Sequence, residues 1–177
     1  MISLAAFHAQ GHEEAMDQVM GWCHCANWAA DIIAQRPFAN LEALRQSCLS
    51  RWHQATPAEV EEALAAHPLI GDVALLQAKF VTASDDRAKV DTAFAEQGQV
   101  LEASTATLNE LARLNVAYKK RHGFIFIIFA KHLSAEEMLA AIAARISNDS
   151  DKEFAQAAAE QTKIMLARIA TAFGVDA

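Results

Sequence analysis

The sequence predicts an all-α fold, and three observations support that class. Apolar residues recur at steps of three and four, capping residues precede several of these runs, and strand-like alternation is absent outside the ambiguous "FIFIIF" at 124–129. The chain has 177 residues and is 53% hydrophobic, which suffices for one core of ordinary size. No repeat or flexible linker divides it. We therefore predict a single compact domain of about eight helices over residues 1–177.

Capping residues place the helices in order along the chain. Side chains that can cap a helix N-terminus precede five helical runs, at Asn40, Thr56, Ser84, Ser134 and Ser150. Three of these have a glutamate three residues later, Glu59, Glu137 and Glu153, which is the capping-box pattern. Glycines suited to helix C-termini follow at Gly98, Gly123 and Gly174.

The helix that begins near Thr56 ends at an unusual corner, in "ALAAHPLIGD" at residues 63–72. Its apolar face repeats at Val60, Ala63 and Leu64, and the same spacing brings His67 onto that face. Pro68 disfavours the α conformation at the residue before it, so the helix is expected to end at His67. This pattern predicts an imidazole that is held at a rigid, inward-facing corner. A structural histidine at a helix end is the alternative interpretation.

Composition and charge exclude several classes of function. The net charge of −7 disfavours nucleic acid, and the longest apolar run, "GFIFIIFA" at 123–130, is too short to span a membrane. No secretory signal pattern is present and the three cysteines fit a reduced compartment, so we expect a cytoplasmic protein. Consecutive Cys23, His24 and Cys25 cannot converge on one metal ion without distant help. The basic residues 119–122 are interpreted as complementing a helix dipole, with an anion site as the alternative.

Polar residues on otherwise apolar helix faces are the remaining candidates for a site. Glu96 and Gln97 border the apolar stripe of the helix predicted after Ser84. On the last helix, Gln161 and Arg168 fall within a seam of apolar residues. A buried guanidinium needs an anionic partner, which could be a ligand or Glu96 itself, and Gln97 could simply cap a neighbouring helix. Periodicity alone therefore leaves the function open.

Several segments, taken in this order, resemble the OHCU decarboxylases of urate breakdown. They are "HPLIGD", then "AEQ", then "LNVAYKKRHGFIFIIFAKHLSAEEML", and the resemblance extends from about residue 5 to residue 172. The resemblance implies an all-helical carboxy-lyase that converts 2-oxo-4-hydroxy-4-carboxy-5-ureidoimidazoline into (S)-allantoin. It also implies no metal or organic cofactor, a small-molecule ureidoimidazoline as the partner in place of nucleic acid or membrane, and a homodimer.

The resemblance also implies roles for individual residues. His67 matches the family's catalytic histidine, a proton donor, and Glu96 is the carboxylate that orients the substrate or the imidazole. The positions that match substrate-binding residues are Pro68, Ala93, Gln97, Phe124, Ile125, Phe126, Ile127, Ile128 and Arg168. Two of them depart from the family pattern. Ala93 stands where many relatives have a serine, so a hydroxyl contact to the substrate is either absent or supplied by another residue, and Ile125 replaces a common proline.

Two other interpretations stay open. The chain could be a non-enzymatic helical module that binds a ligand or partner through "GFIFIIF", or a cofactor-free lyase or hydrolase acting on another ureide. Convergence of His67, Glu96 and Arg168 on one pocket would distinguish the enzymes from the binding module.

Overall fold

A computed structural model describes residues 1–67, 96–131 and 133–175, and for 96–104 the backbone alone. These ranges contain eight helices and no strand, which confirms the all-α prediction. In chain order the helices are α1 (Leu4–Ala9), α2 (His12–Trp22), α3 (Ala26–Ala34), α4 (Leu41–His53), α5 (Pro57–Ala65), α6 (Glu96–His122), α7 (Ala135–Arg145) and α8 (Ser150–Phe173). No helix in the described ranges is long and apolar enough to cross a membrane. The start predicted at Ser84 lies outside the described residues.

Three of the predicted N-caps are confirmed. The side chain of Asn40 accepts a hydrogen bond from the backbone N–H of Ala43 at 2.9 Å and caps α4. Both capping boxes, at Thr56 before α5 and at Ser134 before α7, are complete in both directions. These caps depend only on residues within one turn of each other, which is why the sequence predicts them well.

The capping box predicted at Ser150 and the helix end predicted at Gly98 are wrong. The first residue of α8 is Ser150, and Asp149 caps the helix by accepting from the backbone N–H groups of Asp151 and Lys152 at 2.9 and 3.3 Å. The Ser150 hydroxyl instead contacts Nδ1 of His122 at 2.9 Å. Gly98 lies inside α6, where the helix continues for a further 24 residues in the sequence to His122.

The described residues form two compact units, of which the first comprises 1–67 and 155–175. Its core contains the aromatic group of Phe7, Trp22 and Phe173, with ring centroids 5.4–6.0 Å apart. The indole N–H of Trp28 donates to the carbonyl oxygen of Cys48, and that of Trp52 donates to Ala158 on α8, each at 3.2 Å. These contacts fix α8 against the N-terminal helices.

The second unit comprises residues 96–131 and 133–154. Leucines of α6 pack against Met138 and Ile142 of α7 around the fully buried Tyr118. Residues 119–122 occupy the last turn of α6, as the helix-dipole interpretation requires. The segment 124–130, ambiguous in the sequence, is neither helix nor strand, and it buries Ile125, Phe126 and Ile127.

A buried carboxylate, Glu153, ties this irregular segment to the helices of the second unit. It accepts hydrogen bonds from Tyr118 Oη at 2.6 Å, from Arg145 Nε at 2.9 Å and from Asn148 Nδ2 at 2.7 Å. Arg145 in turn donates to the carbonyl oxygen of Ile127 at 3.0 Å. Burial raises the pKa of Glu153, but the three donors outweigh burial and the net pKa is lowered. The carboxylate is therefore ionised and holds the segment through Arg145.

Candidate active site

His67 lies just beyond the C-terminus of α5, in the first unit. The helix ends at Ala65, two residues before the predicted end, and the backbone N–H of His67 donates to the carbonyl oxygen of Leu64 at 3.2 Å. The apolar face of α5 is buried at Val60, Ala63 and Leu64, and the His67 side chain itself is half-buried. The corner therefore holds the imidazole close to the core, as the sequence predicts.

The imidazole of His67 is anchored by Gln161 of α8. Its Nε2 lies 2.7 Å from Oε1 of Gln161, and Nε2 of Gln161 contacts the sulfur of Cys23 at 3.6 Å. Gln161 is fully buried. An amide oxygen can only accept a hydrogen bond, so the proton of this contact belongs to the histidine Nε2. In the neutral imidazole Nδ1 is then the basic nitrogen.

Burial and neighbouring charges lower the pKa of His67 below its usual range. Burial is the largest cause, and the positive charge of Arg168 and the nearby His24 act in the same direction. The hydrogen bond to Gln161 opposes them and raises the pKa. A lower pKa makes the protonated ring a stronger acid, and it also leaves a smaller fraction of the ring protonated near neutral pH.

Arg168 is a half-buried cation near this histidine. Its Nη1 donates to the carbonyl oxygens of Gly21 and Trp22, at 3.3 and 3.4 Å, at the C-terminus of α2. Among the described residues no carboxylate lies within ion-pair distance of the guanidinium. Burial lowers the pKa of the Arg168 side chain. The Glu96 side chain, the internal partner considered from the sequence, lies outside the described part. The remaining guanidinium N–H groups can therefore bind an anion.

The cysteine next to Gln161 is an unreactive thiol. Burial raises the pKa of Cys23 to about 12, while the Gln161 contact and the Arg168 charge lower it only in part. Cys23 is therefore protonated at neutral pH and does not serve as a nucleophile. In the described ranges no three side chains of His, Cys, Asp and Glu are grouped as ligands of a metal ion.

The other site residues predicted from the sequence lie outside the described side chains or in the second unit. Pro68 and Ala93 lie outside the described residues, and Glu96 and Gln97 are described only as backbone at the start of α6. The predicted substrate strip, residues 124–128, belongs to the second unit. Its two outer residues, Phe124 and Ile128, are half-buried.

Sequence reasoning missed two neighbours of His67. The sequence places Gln161 as a polar residue in an apolar seam and indicates no role for it, and it offers His24 only as part of a weak metal motif. The seam is the signal that could have identified Gln161, because an amide on a buried helix face needs a hydrogen-bond partner. Nothing in the sequence indicates that this partner is His67, which precedes it by 94 positions.

Comparison with known proteins adds a family to this geometry. The family model of OHCU decarboxylase matches residues 8–170. The uric acid degradation bifunctional protein TTL of Arabidopsis thaliana is 34% identical over 85% of this chain, which spans only 45% of that protein's length. The 2-oxo-4-hydroxy-4-carboxy-5-ureidoimidazoline decarboxylase of Haloferax volcanii is 26% identical over 82% of this chain and 81% of its own. A crystal structure of OHCU decarboxylase in the presence of (S)-allantoin is similar with a TM-score of 0.69 and 29% identity, over 89% of this chain and 98% of that one.

Proposed function

Because the chain belongs to the OHCU decarboxylase family, we propose that it is a carboxy-lyase of urate degradation that converts 2-oxo-4-hydroxy-4-carboxy-5-ureidoimidazoline into (S)-allantoin. The observation that carries the proposal is that His67 and Arg168 lie in one unit, near enough for the guanidinium charge to lower the pKa of the imidazole. A proton carrier near a cation that has no carboxylate partner among the described residues suits a reaction that removes a carboxylate and adds a proton.

The proposed reaction needs no electron sink beyond the substrate. When the bond between the ring carbon and the carboxylate breaks, CO2 leaves and its electron pair moves into the conjugated ring C=N. The ring nitrogen that receives this pair takes up a proton. A second proton is added to the neighbouring ring carbon, and the ring hydroxyl loses its proton as it becomes a carbonyl, so one proton is taken up overall for each CO2 released. The protein must therefore orient the carboxylate and deliver a proton to one face of the ring.

In this proposal His67 is the general acid. Its lowered pKa makes the imidazolium a stronger acid, and the face from which it donates determines the configuration of the product. Arg168 binds a negative group of the substrate with the guanidinium edge that the α2 carbonyls leave free.

The roles of the other predicted residues rest on the family resemblance. Glu96 orients the substrate or the imidazole and Gln97 reads a polar edge. Pro68 and residues 124–128 contribute the remaining contacts. Ala93 lacks the hydroxyl that many relatives have at this position.

The test compares purified protein with His67→Asn on freshly generated substrate, after subtraction of the spontaneous reaction. Asparagine keeps a polar side chain of similar size but cannot donate an acidic proton, so turnover should fall about 100-fold or more. Far-ultraviolet circular dichroism and melting temperature should change little, because the ring is only half-buried. A well-folded His67→Asn protein with full activity would remove the histidine from the mechanism.

A homodimer and a cytoplasmic location belong to the same proposal. Both are supported by the family resemblance and, for the location, by the three unpaired cysteines. Size-exclusion chromatography with light scattering should give twice the mass of 19.2 kDa, and cell fractionation should recover the protein in the cytosol.

A further inference from the structure

We propose that Gln161 is a positioning residue that keeps a proton on Nε2 of His67 and leaves Nδ1 as the ring nitrogen that exchanges protons with the substrate. This inference deepens the proposed function and rests on the role of His67 given there. It identifies the reacting atom and the residue that selects it.

The contact geometry holds the amide in one orientation. Oε1 of Gln161 faces Nε2 of His67 at 2.7 Å, and the amide NH2 faces the Cys23 sulfur at 3.6 Å. Gln161 is fully buried, and its neighbours one turn away on α8, Ala157 and Met165, are buried as well. In this orientation the amide oxygen faces Nε2 and can only accept a hydrogen bond, so the packed side chain favours the Nε2–H form of the ring.

This arrangement directs the proton through a single atom. The imidazolium carries protons on both nitrogens, and the one on Nε2 stays in the hydrogen bond to Gln161. The proton on Nδ1 passes to the ring carbon of the substrate, and water then returns a proton to Nδ1. Among the described residues Nδ1 has no hydrogen-bond partner, so this nitrogen is available for the transfer. Gln161 itself neither gains nor loses a proton.

The groups that face His67 predict opposite effects for two substitutions. Arg168 on α8 and His24 between α2 and α3 lower the pKa of the ring, and the protonated Cys23 adds no charge. The Gln161 hydrogen bond acts against them. Gln161→Met removes this opposition and should lower the pKa of His67, whereas Gln161→Glu adds a carboxylate and should raise it.

The first experiment measures the tautomer directly. Long-range ¹H–¹⁵N NMR spectra of the histidine rings, with His67 assigned by comparison with His67→Asn, should show the Nε2–H form above the ring pKa in the native protein. In Gln161→Met the two tautomers should mix. A dominant Nδ1–H form in the native protein would overturn the proposal. This readout needs no enzymatic activity, so it remains decisive even if the protein does not decarboxylate the ureidoimidazoline.

The second experiment uses kinetics against pH. Gln161→Met should lower kcat roughly 10-fold with little change in KM, because the proton donor is misplaced while substrate binding is retained. Since a general acid must be protonated, the alkaline limb of kcat should move to lower pH in Gln161→Met and to higher pH in Gln161→Glu. The matched control is Gln156→Met on an exposed face of the same helix, which should leave kcat and the limb unchanged. If the alkaline limb of kcat lay at the same pH in both Gln161 variants as in the native protein, the positioning role would be refuted.

Discussion

Replacement of Arg168 by lysine separates a substrate-binding arginine from a structural one. Lysine keeps the positive charge but loses the planar fork that can hold two acceptors. In the structure only Nη1 has partners among the described residues, the carbonyl oxygens of Gly21 and Trp22, and both distances are long, at 3.3 and 3.4 Å. The other guanidinium N–H groups are the ones proposed to bind the substrate.

The structural and the substrate-binding roles predict different losses of stability and of kcat/KM in Arg168→Lys. Loss of two long hydrogen bonds to carbonyl groups should cost about 1 kcal/mol of stability, which lowers Tm by roughly 2–4 °C in a chain of this size. Loss of a charged hydrogen bond to the substrate should cost about 1.5–3 kcal/mol, or roughly 10- to 150-fold in kcat/KM. Arg168→Lys should therefore remain folded and react much more slowly.

The assay measures kcat/KM and Tm on the same preparation. Substrate is generated immediately before use, the spontaneous decay is subtracted, and (S)-allantoin is followed by circular dichroism. The control is Arg113→Lys, because Arg113 is exposed on α6 and pairs there with Glu110. Native kcat/KM together with a large fall in Tm would refute the reasoning and return Arg168 to a structural role.

Three further predictions concern stability, thiol reactivity and metals. Hydrogen bonding to Arg51 lowers the pKa of Glu59 from 4.5 to about 2, so this pair stabilises the fold at pH values above 4.5, and the contribution disappears as the pH falls from 4.5 towards 2. When urea unfolding is measured at pH 6 and pH 3, the free energy of unfolding should therefore fall less on acidification in Arg51→Met than in the native protein. Burial raises the pKa of Cys23 and Cys48 to about 12, so iodoacetamide at pH 8 should label neither thiol until the protein is unfolded, as mass spectrometry would show. Exhaustive chelation should leave decarboxylation unchanged because the substrate accepts its own electron pair, and a loss that zinc restores would contradict this chemistry.

Local patterns in the sequence predict the helix starts well and fail where another residue competes for the same groups. The pattern at Thr56 and Glu59 forms a capping box even though Arg51 also binds the Glu59 carboxylate, because that carboxylate still accepts from the backbone N–H of Thr56. The same pattern at Ser150 and Glu153 does not, because Asp149 supplies the cap and Glu153 is drawn into the core. The spacing of the two glutamates from their serine or threonine is identical, so the neighbouring Asp149 and the tertiary contacts of Ser150 and Glu153 distinguish the two sites.

The candidate site shows the same division. His67 could be identified from the sequence because a helix face and a following proline specify its position locally. Its hydrogen bond to Gln161 joins residues 94 positions apart and depends on how α8 packs against α5. The raised pKa of Cys23 likewise follows from burial, which a short sequence pattern does not reveal.

The hydrogen bonds around Glu153 have a consequence for the substitutions this chain can tolerate. Replacing Glu153 alone would leave the partly buried Arg145 cation beside the Phe126 ring without its carboxylate, and replacing Arg145 alone would leave a buried carboxylate with two neutral donors. Either single change is expected to be strongly destabilising. A joint exchange for apolar residues would still leave the Tyr118 hydroxyl and the Asn148 amide without their acceptor, so it should also cost stability. Chains selected for folding from a library should therefore retain both residues. A redesign of the segment 124–130 therefore has to keep both Glu153 and Arg145, because Arg145 holds the segment at Ile127.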